Sequence, residues 1–177
     1  MRRIGTLIAA VTMLTIPAIA FAQASQRDID AFAKSQLVYI ATVRKDGNQS
    51  RSTPVWFTTT PDHLLLIETG PQTWKAKRIR RGSPAMIWIG AVDGPAFIGK
   101  AEITNDPAIE SRIVDDYPQK YLAARVGLFK PTLEKFAGGK IVALKITPVR
   151  DLEGFVNQPG TPAPSLEAPT PAPSPSH

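Results

Sequence analysis

The chain has 177 residues, a formal net charge of +6, 43% hydrophobic residues and no cysteine. These values exclude a disulfide scaffold and a thiolate metal site, which both need Cys, and they exclude a chain disordered throughout. The length suits one domain, and the positive balance favours anionic ligands or surfaces without choosing among phosphate, nucleic acid and lipid.

Met1 to Ala22 reads as a secretory signal. Arg2 and Arg3 form a positive start, Ile4 to Ala20 is apolar, and Ala20-Phe21-Ala22 is a small-x-small cleavage site. The expected cut precedes Gln23, with a periplasmic or secreted destination and no stable membrane span after cleavage. The paired arginines also suit twin-arginine export. At the other end, Pro159 to His177 holds seven of the 17 prolines, mixed with Ala, Ser and Thr. Little in residues 157–177 can be buried, so an extended, solvated tail is expected there. Residues 23–156 are the expected folded domain.

Within that domain Ser25 caps a short helix whose Ile29, Phe32 and Ala33 fall at helical spacing. Leu37 to Arg44 alternates as a strand. Lys45-Asp46-Gly47-Asn48 is a hairpin turn, because Asp-Gly supplies the positive φ of a tight turn. Ser50 to Thr60 is the return strand, and Pro54 within it marks an edge or a bulge, where backbone groups stay free. Pro61-Asp62 turns the chain into a third strand, His63 to Thr69. Gly70-Pro71 breaks that strand, and Thr73 caps a helix, Trp74 to Arg81, which Gly82 ends. Pro84 to Ala91 is a strongly apolar strand, followed across Asp93-Gly94 by Ala96 to Thr104. Asp106-Pro107 opens a helix that runs to about Asp116, and Pro118 starts another. Gly138-Gly139 closes the helical stretch, and Lys140 to Pro148 is the last strand.

This order predicts a mainly β fold: a six-stranded antiparallel barrel with short peripheral α-helices. Closure removes exposed edges, and a barrel of this size is filled by its own side chains. A ligand is therefore expected outside, where two barrels meet. Apolar strands such as Ala85 to Ile89 are expected to need a partner's cover, which makes a two-fold homodimer the expected assembly.

The chemistry concentrates between Thr69 and Arg81. Thr69 ends a strand, Thr73 caps the next helix and Lys75 lies in its first turn, with Lys77 and Arg78 behind. A hydroxyl, amides without intrahelical partners and a lysine at one helix start read as a phosphate site. The same residues also suit a solvated basic helix with an ordinary cap. The five cations from Lys75 to Arg81 point in several directions, so no nucleic-acid face is expected. Trp56 suits either a core or interface position or a ligand contact, and Trp74 and Trp88 read as packing residues. The only histidines are His63 and His177, which argues against a His-based triad or metal centre. Asp115-Asp116 reads as a solvated helix end, and Asp62 and Glu68 have no obvious partner. If the chain is an enzyme, its chemistry belongs to a bound cofactor.

Several stretches, in order, resemble the pyridoxamine phosphate oxidase-like FMN-binding split-barrel family. They are Ala41-Thr42-Val43-Arg44-Lys45-Asp46-Gly47, Ser52-Thr53-Pro54-Val55-Trp56-Phe57, and Thr69 followed by Thr73-Trp74-Lys75-Ala76. Ile79 to Pro84, Gly99 to Ile103 with Asp106-Pro107, and Ile146-Thr147-Pro148 continue the set. The resemblance implies a split β-barrel, usually a homodimer, with FMN at the dimer interface, or in some members a deazaflavin or heme. It implies that Lys75 holds the cofactor phosphate, that Thr73 stands beside it and Thr69 near the flavin, and that Val55 and Trp56 run along the ring. Thr53 and Trp74 complete the cofactor-binding set that the resemblance implies; at these two positions and at Thr58 true pyridoxamine phosphate oxidases carry basic residues, and their substrate-binding C-terminal region has no expected counterpart here, so vitamin B6 oxidation is not expected. Lost charged contacts to phosphate, each worth about 1.5–3 kcal/mol, weaken the expected hold on FMN. Three readings stay open: an exported flavin-dependent oxidoreductase; a non-catalytic binding protein of the same fold for heme, deazaflavin or another small anionic ligand; and a structural dimer with a degenerate site.

Overall fold

A computed structural model describes residues 24–167; residues 1–23, with the expected secretory signal, and residues 168–177 lie outside the described residues. The elements in chain order are α1 (Gln26–Lys34), β1 (Val38–Thr42), β2 (Thr53–Val55), β3 (Thr58–Thr59), β4 (Leu65–Thr69), α2 (Trp74–Arg80), β5 (Ala85–Ile89), β6 (Ala96–Thr104), α3 (Pro107–Lys120), α4 (Leu122–Arg125), α5 (Leu133–Ala137) and β7 (Val142–Asp151). Local signals behave as read. Ser25, Thr73 and Asp106 accept hydrogen bonds from the first-turn amides of α1, α2 and α3. Gly47 takes φ +80 in the hairpin turn.

The strands form one antiparallel sheet in the order β2-β1-β5-β6-β7-β4-β3. There are seven strands rather than six, because the expected Ser50–Thr60 strand breaks at Trp56-Phe57. Its first piece, β2, pairs with β1 at one end of the order, and its second, β3, pairs with β4 at the other. One kinked segment thus joins both ends, and the sheet curls into the expected split barrel. The kink is held from outside. The Tyr121 hydroxyl accepts the Phe57 N–H and donates to the Phe57 carbonyl, both at 2.8 Å. Those backbone groups therefore need no strand partner. The Phe57 ring turns into the barrel, and Trp56 stays outside. Pro54 sits in the edge strand β2, where its missing donor costs nothing.

Inside the barrel Val38, Ile40, Leu65, Ile67, Ile87, Phe97, Leu144 and Ile146 pack together with Phe32 of α1. Beneath α3 to α5 a second cluster joins Leu66, Ile113, Tyr117, Tyr121 and Phe136. Helix α3 continues through Pro118 to Lys120 instead of ending near Asp116. The buried Tyr117 anchors that last turn, which offsets the one hydrogen bond Pro118 removes.

A third cluster corrects two expectations. Met86 and Trp88 on the outer face of β5 pack with Ala41 and Ile98, and Phe155, Ala163 and Leu166 cover them. Trp88 Nε1 donates to the Phe155 carbonyl at 2.8 Å. Both faces of Ala85–Ile89 are therefore buried by the chain itself, with no partner needed. The start of the expected solvated tail does this covering. Gln49 N–H donates to the Thr161 carbonyl at 2.8 Å and Ala163 N–H to the Gly47 carbonyl at 3.1 Å. The first hairpin leaves backbone groups unpaired along its edge, and residues 157–167 satisfy them while half-burying Ala163 and Leu166. Among the described residues no helix is long and apolar enough to cross a membrane.

Candidate functional site

The alternation of β4 sends Leu65 and Ile67 into the barrel and Leu66 and Glu68 outward. Thr69 ends the strand, buried, with its hydroxyl 3.3 Å from that of Thr73. Thr73 in turn donates to the Gly70 carbonyl at 2.9 Å and accepts the Ala76 N–H at 3.4 Å. Its carbonyl accepts the Lys77 N–H at 3.0 Å. The Trp74 and Lys75 amides are the ones a helix start leaves without an intrahelical partner.

Lys75 is half-buried beside Glu68. Burial lowers the lysine pKa, and the Glu68 charge partly restores it. Burial raises the Glu68 carboxyl, opposed by the charges of Lys135 and Lys75. Glu68 therefore feels the charges of two lysines that its sequence neighbours did not reveal. It also lines a cavity of about 420 Å³ with Leu37, Pro54, Val55, Trp56 and Phe129. A smaller hollow of about 170 Å³ shares Glu68 and Phe129 with Lys130 and Lys135.

The wall bearing Trp56 is rigid. Its ring stacks on Tyr121 at 4.4 Å and 5°, and meets the edge of Tyr117 at 6.0 Å. The Tyr117 hydroxyl donates to the Trp56 carbonyl at 3.0 Å and accepts the Glu68 N–H at 3.2 Å. Burial raises the pKa of both phenols, that of Tyr121 to about 12, so they hold these bonds as neutral groups.

Of the sequence-predicted residues, Val55 and Trp56 line the cavity; Thr69, Thr73 and Lys75 do not line it but lie together where β4 passes into α2, and Lys75 feels the charge of the lining residue Glu68. Thr53 is exposed on β2 opposite Ile40 and lines no part of the cavity. Trp74 stands apart, 69% exposed, with Lys77 Nζ and Arg78 Cζ each 5.6 Å from its ring centroid. It is not the packing residue expected, whereas Trp88 is. Sequence reasoning missed Glu68, Phe129 and the two tyrosines. The in-out alternation of Leu65-Ile67-Thr69 carried a signal for Glu68. Phe129, at φ +55 between α4 and α5, had none.

The family profile described as "Pyridoxamine 5'-phosphate oxidase" matches residues 26–152. The chain belongs to this family. Among curated proteins none matches it significantly. Solved structures share its fold. A conserved hypothetical protein from Mycobacterium tuberculosis superposes with a TM-score of 0.54 at 22% identity, covering 85% of this chain and 96% of its own. A proposed pyridoxamine 5'-phosphate oxidase from Listeria innocua gives 0.53 at 16% identity, covering 71% and 93%. General Stress Protein 26 from Bacillus anthracis gives 0.52 at 19%, covering 70% and 88%. The matched family residues include every element from α1 to β7 and leave the docked segment after Leu152 outside.

Proposed function

We propose that this family member binds FMN outside the barrel, with the ring along β2 and Trp56 and the phosphate at Thr69, Thr73 and Lys75, and that it is an exported flavin-dependent oxidoreductase. The observation that carries this reading is the half-buried Lys75 in the first turn of α2, which follows two paired hydroxyls and feels the charge of Glu68, a lining residue of a largely apolar cavity. The residues fit such a group. A partly desolvated ammonium attracts phosphate more strongly than a solvated one. The edge strand β2 offers backbone groups that no neighbouring strand uses, and Trp56, locked by Tyr121, gives a flat apolar wall. When bound, a flavin supplies the hydride and electron chemistry that the side chains lack. The chain's residues hold it, orient it and keep water from its apolar side.

Other features argue against pyridoxamine phosphate as substrate. Neither Thr53 nor Trp74 lines the cavity, and Thr58 already donates to Asp116 Oδ2. Glu68 sets a carboxylate beside Lys75, which opposes a second anion there.

A second copy of the chain completes the site in this reading. Leu122, Val126, Leu128, Phe129 and Leu133 are all at least half exposed, and Phe129 also lines the cavity. Such an apolar rim suits a two-fold partner. Light scattering at micromolar concentration should give twice the chain mass, and a monomer that binds FMN would break the assembly. Export rests on the signal-like segment before Gln23. N-terminal sequencing of periplasmic or secreted protein should begin at or near Gln23, and intact Met1 in the cytoplasm would refute it.

The deciding experiment is the visible spectrum of protein purified from its own compartment, followed by fluorescence titration with FMN. Flavin absorption, or FMN binding that riboflavin does not match, supports the reading. A heme band or selective deazaflavin binding replaces the cofactor, and no binding at all leaves a structural dimer.

A further inference from the structure

Away from the Lys75 cavity, the first hairpin and the C-terminal half of α2 enclose a second, polar cleft. Two contiguous hollows of about 390 and 370 Å³ share Arg44, Lys45, Arg78 and Arg81 as lining residues. Among the residues lining them, one carboxylate, Asp46, stands against these four cations. Asp46 lies 3.4 Å from Arg44, and both side chains are about half exposed, so the pair is weak. Trp74 walls one hollow and is mostly open to solvent.

The cleft is built rather than accidental. Ser83 Oγ accepts the Val43 N–H at 2.8 Å and donates to the Pro84 carbonyl at 2.8 Å, tying the hairpin to the chain leaving α2. Arg78 Nη1 donates to Thr42 Oγ1 at 3.3 Å, which fixes the guanidinium beside the hairpin. The docked segment braces the hairpin from behind through Gln49, Asn48 and Gly47. Burial and the charges of Arg44 and Arg81 lower the Arg78 pKa, so like charges are held together at a cost that an anion would relieve.

We propose that this cleft is a second ligand site, independent of the flavin cavity, for a diphosphate carrying an aromatic base, whether a nucleoside diphosphate or a dinucleotide. Arginine forks take phosphate oxygens in pairs. Three arginines and a lysine offer more charge than a monoester of about −1.5 to −2 uses, so adjacent phosphates fill the cleft better than one. The exposed face of Trp74 then receives the base, with Lys77 and Arg78 already beside the ring. Its exposed position is otherwise unfavourable for so large an apolar side chain.

Isothermal titration calorimetry of the whole purified protein with ADP, AMP, adenosine and pyrophosphate tests this. ADP should bind more tightly than AMP, pyrophosphate should compete, and adenosine should not bind measurably. Arg44→Gln and Arg78→Gln should each weaken ADP about ten-fold or more. Lys100→Gln, the same charge change at an exposed position on β6, should shift it less than about two-fold. Arg44 makes no buried contact, so its variant reads the site even if Arg78→Gln fails to fold. Lys75→Ala should leave ADP unaffected while FMN binding falls. Loss of ADP binding in Lys75→Ala, or displacement of ADP by FMN, would mean one site and overturn the proposal. So would absence of ADP binding at about 1 mM, an equal effect of Lys100→Gln, or Arg44-dependent binding of anionic-lipid vesicles without ADP binding.

Discussion

The two ends of α2 carry the same sign of charge in different settings. At its start Lys75 is half-buried and feels the charge of Glu68, which lines an apolar cavity. At its end Arg78 and Arg81 meet Arg44 and Lys45 across a polar cleft, with one weakly paired carboxylate nearby. A lysine that is partly neutralised within the fold is selective, since a ligand must displace or share its partner. An uncompensated arginine cluster is a field awaiting an anion. The two ends of α2 are thus proposed as two kinds of anion site, and the fold around them decides which is which.

The largest expected effect breaks the first end. Lys75→Ala should weaken FMN ten- to a hundred-fold, about 1.5–3 kcal/mol, and leave riboflavin nearly unchanged. Parallel fluorescence titrations read it, and equal FMN affinity in parent and variant would remove Lys75 from the site.

Next is the wall that sets the cavity. Tyr121→Phe strips two hydrogen bonds from the buried Phe57 backbone and leaves its carbonyl the longer one from Lys120 Nζ at 3.4 Å. It should cost about 1–3 kcal/mol in urea unfolding and loosen the kink that presents Val55 and Trp56. A stability unchanged from the parent would show that water or a neighbour replaces the hydroxyl.

A third test contrasts Glu68 with a carboxylate that has no lysine to face. Asp28 in α1 is 1% exposed, and its Oδ2 has no hydrogen-bond partner. Burial first, then the Asp151 charge, raises its pKa from 3.8 to about 6. The folded state therefore favours the proton. That contribution is fully present below pH 3.8 and is lost as pH rises through about 6. Asp28→Asn should be more stable than the parent above that pH, by about 1–3 kcal/mol, and match it under acid. Thermal melts across the range check the sign; a variant less stable at neutral pH would contradict it.

Smaller effects sharpen the comparison along α2. Thr73→Val removes the cap and should cost about 1 kcal/mol of stability, with a lesser loss of FMN than Lys75→Ala because no charge goes. Arg81→Ala, at the far end, should change stability by no more than about 0.5 kcal/mol and leave FMN binding alone. A clear FMN loss in that variant would merge the two ends into one site.

Much of this molecule is written in short stretches of chain. Asp46-Gly47 makes its turn, Ser25, Thr73 and Asp106 cap their helices, and Pro54 falls on an edge strand, because each depends on its own φ, donor or acceptor and a few neighbours. The succession of strands and helices along the chain and the family resemblance follow from the same local periodicities in sequence. Tertiary structure alone decided the rest. The break at Trp56-Phe57 is held by Tyr121, 64 residues away, and the Pro-rich stretch docks because Gln49 and Gly47 offer it bonds from across the chain. Glu68 finds Lys75 and Lys135, and Arg44 finds Arg78 and Arg81, only once the sheet has curled. Periodicity states which face a side chain takes, whereas its neighbour on that face is set by register, curl and the packing of distant segments.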